Sequence, residues 1–115
     1  ALACIKSQFR NPELSPASVA RACSISVGYL HEVFRQFDES VQEVIMETRL
    51  QAARRMLINS VGAPKSVSGV AFLCGFSDAA HFSRRFSRRF GAPPREFVAR
   101  RESRDPDRES RSDEL

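Results

Sequence analysis

Several features are scarce in this 115-residue chain, and each scarcity removes a class of protein. No apolar run approaches the ~18 residues of a membrane-spanning helix, and no basic-then-apolar leader pattern stands at the start. A membrane or secreted protein is therefore not expected. Cysteine occurs three times, at Cys4, Cys23 and Cys74, an odd number set among apolar neighbours without a C-x-x-C pair. Small buried hydrophobes in a reducing cytoplasm fit better than disulfides or thiolate ligands. The two histidines, His31 and His81, have no Cys, Asp or Glu recurring at ligand spacing, so no metal, cofactor or catalytic base is expected. No segment alternates as a strand does. At this length, with 42% hydrophobic and 28% charged residues, the chain has room for one globular domain and little for a large catalytic fold.

Charge is present but unevenly placed. The net charge is +4, and of the 18 basic residues only Lys6 and Lys65 are lysines. Residues 1–100 carry net +6 and residues 101–115 net −2. Five arginines face one acid between Ser77 and Arg95. A basic stretch followed by a mixed-charge tail points to an anionic partner, with nucleic acid first in line.

Helical spacing accounts for most of the chain. A first segment carries Leu2, Cys4, Ile5 and Phe9 and ends at Asn11-Pro12. Ser15-Pro16 opens a second helix with Val19, Ala20 and Cys23 inward, ending near Ser24. Ser26 caps a third, about 27–37, in which Leu30, Val33, Phe34 and Phe37 share one face. Ser40 and Glu43 form a capping box for a long fourth helix carrying Val44, Ile45, Leu50, Ala53, Met56 and Leu57. A loop runs from Asn59 to Lys65. Val67, Val70, Ala71 and Cys74 mark a short fifth helix stopped by Gly75. Ser77 is expected to cap a sixth, about 78–90, with Phe82, Phe86 and Phe90 in the core and Gly91 at its end. Pro93-Pro94 starts a seventh with Phe97 and Val98, and residues beyond about Arg101 read as a frayed or disordered tail. The expected fold is all-α, with seven helices.

Self-comparison gives these helices an organisation. Val19-Ala20 and Cys23-Ser24-Ile25-Ser26 line up with Val70-Ala71 and Cys74-Gly75-Phe76-Ser77 at an offset of 51. Leu30 and Phe34 match Phe82 and Phe86 at 52, and Phe37 and Ser40 match Phe90 and Pro93 at 53. Each half reads as short helix, tight turn, capped helix, which is a helix-turn-helix unit. The expected division is a first subdomain at 1–40, a linker helix at 41–59, a second subdomain at 60–101 and a tail at 102–115. Two such units on one rod suit duplex DNA, whose major groove recurs on one face about every 34 Å.

The helical wheel, at about 100° per residue, then selects the faces that can meet DNA. Opposite the phenylalanines of the sixth helix lie Ser77, Ala80, His81, Arg84 and Arg88, with Ser87 beside them. Arg85 and Arg89 fall at the flanks. In the third helix Gly28, Glu32 and Arg35 point outward, with His31 near the rim. The base-reading candidates are Gly28, His31, Glu32, Arg35, Ala79, Ala80, Ser83 and Arg84. The phosphate candidates are Ser26, Ser77, His81, Ser87 and Arg88. Arg84 suits a bidentate contact to guanine O6 and N7, and Ala79 and Ala80 suit thymine methyls or close approach. Glu32 has two readings open: acceptance from cytosine N4, or a salt bridge to Arg35 or Arg21. The first unit is net −1 over residues 16–39 and the second net +4 over 77–95, so the second is expected to supply more phosphate attraction.

The residues also resemble a known family. Arg49 to Leu57, RLQAARRML, is similar to the R-L-x-x-A-x-x-x-L linker helix of AraC/XylS-type transcription regulators. Val67 to Phe97 resembles that family's second helix-turn-helix signature, with G-F-S-D, H-F-S-R-x-F and F-G-x-x-P, and Leu14 to Phe34 resembles its first. Ser24 departs from a frequent turn glycine, and Gly69 from a longer residue. The resemblance implies a non-enzymatic bacterial regulator, usually an activator, that binds promoter DNA and meets RNA polymerase. It further implies an effector-binding and dimerisation domain, which would lie upstream of Ala1, and a cytoplasmic, nucleoid-associated location. Two other classes stay open: a helical protein–protein module using its arginine face, and the DNA-docking module of a modifying enzyme.

Overall fold

The computed structural model describes residues 1–59 and 66–103; the loop after Asn59, and residues 104–115 of the tail expected at 102–115, lie outside them. The described residues form seven helices and no strand: α1 Leu2–Gln8, α2 Pro16–Ala22, α3 Val27–Arg35, α4 Val41–Asn59, α5 Val67–Leu73, α6 Ala79–Phe90 and α7 Pro94–Ser103. None of them is long and apolar enough to cross a membrane.

Local chemistry sets the boundaries. The Ser15 hydroxyl accepts from Ser18 N while Ser18 Oγ accepts from Ser15 N, a reciprocal box that starts α2 with Pro16 in its first turn. Ser26 Oγ accepts from Tyr29 N, Ser40 Oγ from Glu43 N and Ser66 Oγ from Gly69 N. Gly91, at φ 78°, closes α6 in the left-handed conformation.

Three expectations need correction. The cap of α6 is Asp78, whose Oδ1 accepts from Ala80 N and His81 N, and Ser77 lies exposed one residue before it. The one-residue insertion between the repeats therefore falls inside the second turn: four residues separate α2 from α3, and five separate α5 from α6. Helix α3 stops at Arg35, two residues early, and Phe37 lies 68% exposed instead of in the core. Asp38 reverses the chain there at φ 55°, with Glu39 N donating to Phe34 O, and this turn swings Phe37 out of the apolar stripe. Helix α7 continues two residues past Arg101. Leu2, Phe72 and Leu73 are also exposed.

One rod carries two cores. Val41 and Ile45 of α4 pack with Ile5, Val19, Ala20, Leu30 and Phe34. Further along the same helix, Leu50, Ala52, Ala53 and Leu57 pack with Val70, Ala71, Cys74, Phe76, Phe82, Phe86 and Phe97. The second core is aromatic, with Phe82, Phe86, Phe90 and Phe97 in tilted or edge contacts at ring separations of 4.7–6.2 Å. Cys74 is buried with its thiol against the Met56 sulfur, and Cys4 and Cys23 are half-buried at the edge of the first core.

The two cores are strapped together where sequence reasoning saw only spacing. Arg49, 9% exposed, donates from Nε to Phe9 O at 2.9 Å and from Nη2 to Asn11 O at 2.8 Å. It thereby fastens the end of α1 to the middle of α4. Phe9 itself packs against the second core, so α1 touches both. Burial pushes the Arg49 guanidinium below its ordinary range, which for arginine still leaves it charged.

Candidate nucleic-acid interface

Both turns are built alike. Ile25 N donates to Ala20 O and Phe76 N to Ala71 O, each at 3.0 Å, closing a left-handed cap at Ser24 and at Gly75. After each turn the chain enters its second helix with the same inward pair, Leu30 and Phe34 in α3, Phe82 and Phe86 in α6. Counting from the observed caps, Ser26 and Asp78, the helices match at an offset of 52. Glu32 thus holds the place in α3 that Arg84 holds in α6, and Gln36 the place of Arg88.

The outward faces hold the residues selected from the sequence. Gly28, Glu32, Arg35, Ala80, His81, Arg84 and Arg88 are exposed, as are Ser26 and Ser77. His31, Ala79, Ser83 and Ser87 are half-buried along the rims. Within α6, Ala80, Arg84 and Arg88 form an exposed stripe at four-residue spacing, flanked by half-buried Ala79, Ser83 and Ser87. His81 lies to its side, its ring edge-on to Phe76 at 6.2 Å. Ser77 ends up beside the cap instead of providing it.

Charge partners divide the arginines. Arg35 Nη1 meets Glu32 Oε2 at 2.8 Å across one turn of α3, so the salt-bridge reading of Glu32 is the one the structure displays. Arg21 is not its partner. Arg89 is held by Glu47 of α4 through Nε at 2.8 and 3.1 Å and Nη2 at 2.8 Å. That hydrogen bonding draws the Glu47 carboxyl below its usual range and raises the guanidinium. Among the described residues, Arg84 and Arg88 enter no ion pair and stand exposed. Arg84 lies close enough to add to the pull that the His81 and Ala80 backbone N–H groups exert on the Asp78 carboxyl, which is also held low. The α6 face therefore offers open positive charge, while α3 offers a neutralised pair.

The roles of four residues escaped the sequence. Glu47 and Arg89 are 42 residues apart with no local pattern to link them. Arg49 stood in the linker motif without a sign that it would be buried. Asp78 was a legitimate cap residue beside another, Ser77, and only the register of the turn decides between them. Among the described residues no group of three or more His, Cys, Asp or Glu side chains is placed to hold a metal ion.

Paired helix-turn-helix units on one rod, the second with a basic outward face, define a class of DNA-binding regulator, and the comparisons agree. Residues 19–100 match the family model described as a helix-turn-helix domain. The transcriptional activator RhaS of Escherichia coli O139:H28 is 36% identical over 86 residues, covering 74% of this chain and 30% of its own. A Chromobacterium violaceum transcriptional regulator with an AraC-type DNA-binding domain superposes with a TM-score of 0.73 at 29% identity, over 90% of this chain and 94% of that one. The fold is shared by the AdpA DNA-binding domain, solved in complex with a target DNA, at a TM-score of 0.78 and 23% identity, covering 91% and 96%. The chain belongs to the AraC/XylS-type family of helix-turn-helix transcription regulators. It spans 26–30% of the length of the first curated relatives it matches.

Proposed function

We propose that this chain is the promoter-reading part of a bacterial transcription activator, with α3 and α6 entering adjacent major grooves of duplex DNA. The observation that carries this reading is the repetition of one turn geometry, at Ser24 and at Gly75, on a single rigid helix. A rod fixes the distance between two projecting helices, and successive grooves on one DNA face, about 34 Å apart, are a target that rewards such fixing.

In this reading Arg84 reads guanine through O6 and N7, while Ala79, Ala80 and Ser83 lie against neighbouring base edges. Ser77, His81, Ser87 and Arg88 hold phosphates, as Ser26 does in the first unit. Gly28, His31, Glu32 and Arg35 address the other groove. The Glu32–Arg35 pair presents an acceptor and a donor side by side, suited to the edge of a C·G pair. Residues 1–40 and 60–101 are the reading units and 41–59 the rod. The parent protein carries an effector-binding and dimerising domain, contacts RNA polymerase, works in the cytoplasm on the nucleoid and catalyses no reaction. Support comes from the activator RhaS and from the DNA-bound AdpA domain.

Selection of duplexes from a random library tests it. Two enriched boxes about 10–10.5 base pairs apart are expected. Recovery of no enriched sequence would overturn the proposal.

A further inference from the structure

We propose that Glu47 is a positioning residue that sets the separation between the two DNA-reading helices, acting through Arg89. This rests on the reading above, in which α3 and α6 engage two grooves together.

Glu47 sits on α4 between Ile45, which belongs to the first core, and Leu50, which belongs to the second. It occupies the crossover of the rod. Arg89 lies in the last turn of α6 and grips both oxygens of the Glu47 carboxylate. Gln51, one turn along α4, donates to Glu47 Oε2 at 2.8 Å and holds that carboxylate in place. Arg54, the next residue on the same stripe of α4, lies over the Phe90 ring at 5.3 Å, while Arg89 lies over it at 4.9 Å. Two side chains of the rod, Glu47 and Arg54, thus meet the final turn of the reading helix, with Gln51 bracing the first of them.

Helix α6 otherwise meets the rod through apolar packing, its Phe82 and Phe86 sharing the second core with Leu50, Ala53 and Leu57, and through α5 and α7, which pack on α4. The Glu47 network is its direct polar anchor to the rod. Because the same rod builds the first core, fixing the end of α6 on α4 also fixes it relative to α3. The pair is 41–47% exposed, so it adds little to global stability, and its effect falls on geometry. It also withholds Arg89 from phosphate, leaving Arg84 and Arg88 as the DNA-facing arginines of α6.

The test uses a duplex carrying both selected boxes, the same duplex with its spacer changed by one base pair either way, and a duplex with the second box alone. Wild type should prefer the native spacing. Glu47→Gln should lower that preference by about three- to fivefold, the range expected of one partly exposed charge pair, while single-box affinity does not fall and the melting temperature shifts only slightly. The charge-swapped pair Glu47→Arg with Arg89→Glu should restore the preference. An unaltered preference in Glu47→Gln, an equal loss on the single box, or no recovery in the swap would overturn the inference. A wild-type chain indifferent to spacing would sink the two-groove reading itself, and this inference with it.

Discussion

Ser24 and Gly75, 51 residues apart, hold the same place in two turns, both with positive φ, at 58° and 94°. Their surroundings differ. Gly75 lies against the α1–α4 strap, and a Cβ added there would stand 2.2 Å from Phe9 O and 2.7 Å from Arg49 Nε. The turn of the second unit is thus packed on the junction that joins both cores.

Substitution should separate these positions. Ser24→Gly relieves a left-handed L-residue, whose cost of roughly 1–2 kcal/mol exceeds the extra unfolded-state freedom of glycine, and should stabilise by about 0.5–1 kcal/mol. Gly75→Ala drives a methyl into a backbone carbonyl and should cost about 3 kcal/mol or more. Urea unfolding of both variants measures the contrast. A tolerated alanine at 75 would show that the junction yields.

Arg49 predicts a second loss. Arg49→Met keeps much of the buried stem but strands two backbone acceptors, Phe9 O and Asn11 O, and should destabilise by about 2–3 kcal/mol. Arg49→Lys has a single ammonium for two carbonyls and should recover only part. Heteronuclear spectra should show the damage around α1 and the turn at Gly75, remote from α3.

The low-lying carboxyls of Glu47 and Asp78 give the pH dependence a sign. Both are more acidic folded than unfolded, Glu47 chiefly through Arg89 and Asp78 chiefly through the His81 N–H. Their stabilisation is fully present above the ordinary carboxylate range, near ~4, and fades as pH falls through the depressed values. Asp78→Asn retains a capping oxygen without the charge, so its melting temperature should lie below wild type near neutrality and converge with it in acid. Parallel curves would contradict the assignment.

How far the sequence reveals this protein depends on the range of each interaction. The α2, α3 and α4 starts are legible because a cap residue and the N–H it accepts are neighbours in the chain, as with Ser26 and Tyr29. The two inward stripes are legible for the same reason. Phe37 looked like one more member of a stripe, but the turn at Asp38 intervenes. Ser77 and Asp78 both suit a cap, and the longer second turn selects Asp78. The outward faces of α3 and α6 follow from the wheel. The partners of Arg49 and Arg89 do not, because 38 to 42 residues separate them and only the assembled rod brings them together.

Unequal charge on the two reading helices predicts unequal salt dependence. Removing Arg88 should reduce the slope of log affinity against log salt by about 0.9, the loss of one phosphate contact. Arg84→Ala should cost roughly 1–3 kcal/mol of discrimination at one base pair. The His31→Ala and Arg35→Ala double variant should lose less affinity than the Arg84→Ala and Arg88→Ala double variant, since Arg35 is already paired. Fluorescence anisotropy across a salt series checks the order, and a reversed order would remove the asymmetry.

Guanine N7 methylation interference on the selected duplex tests the central claim most directly, comparing wild type with Arg84→Ala. The account predicts two interfering major-groove clusters about 10–10.5 base pairs apart, with one guanine in the second cluster losing its effect in the variant. A single cluster, or a pattern that Arg84→Ala leaves unchanged, would contradict it.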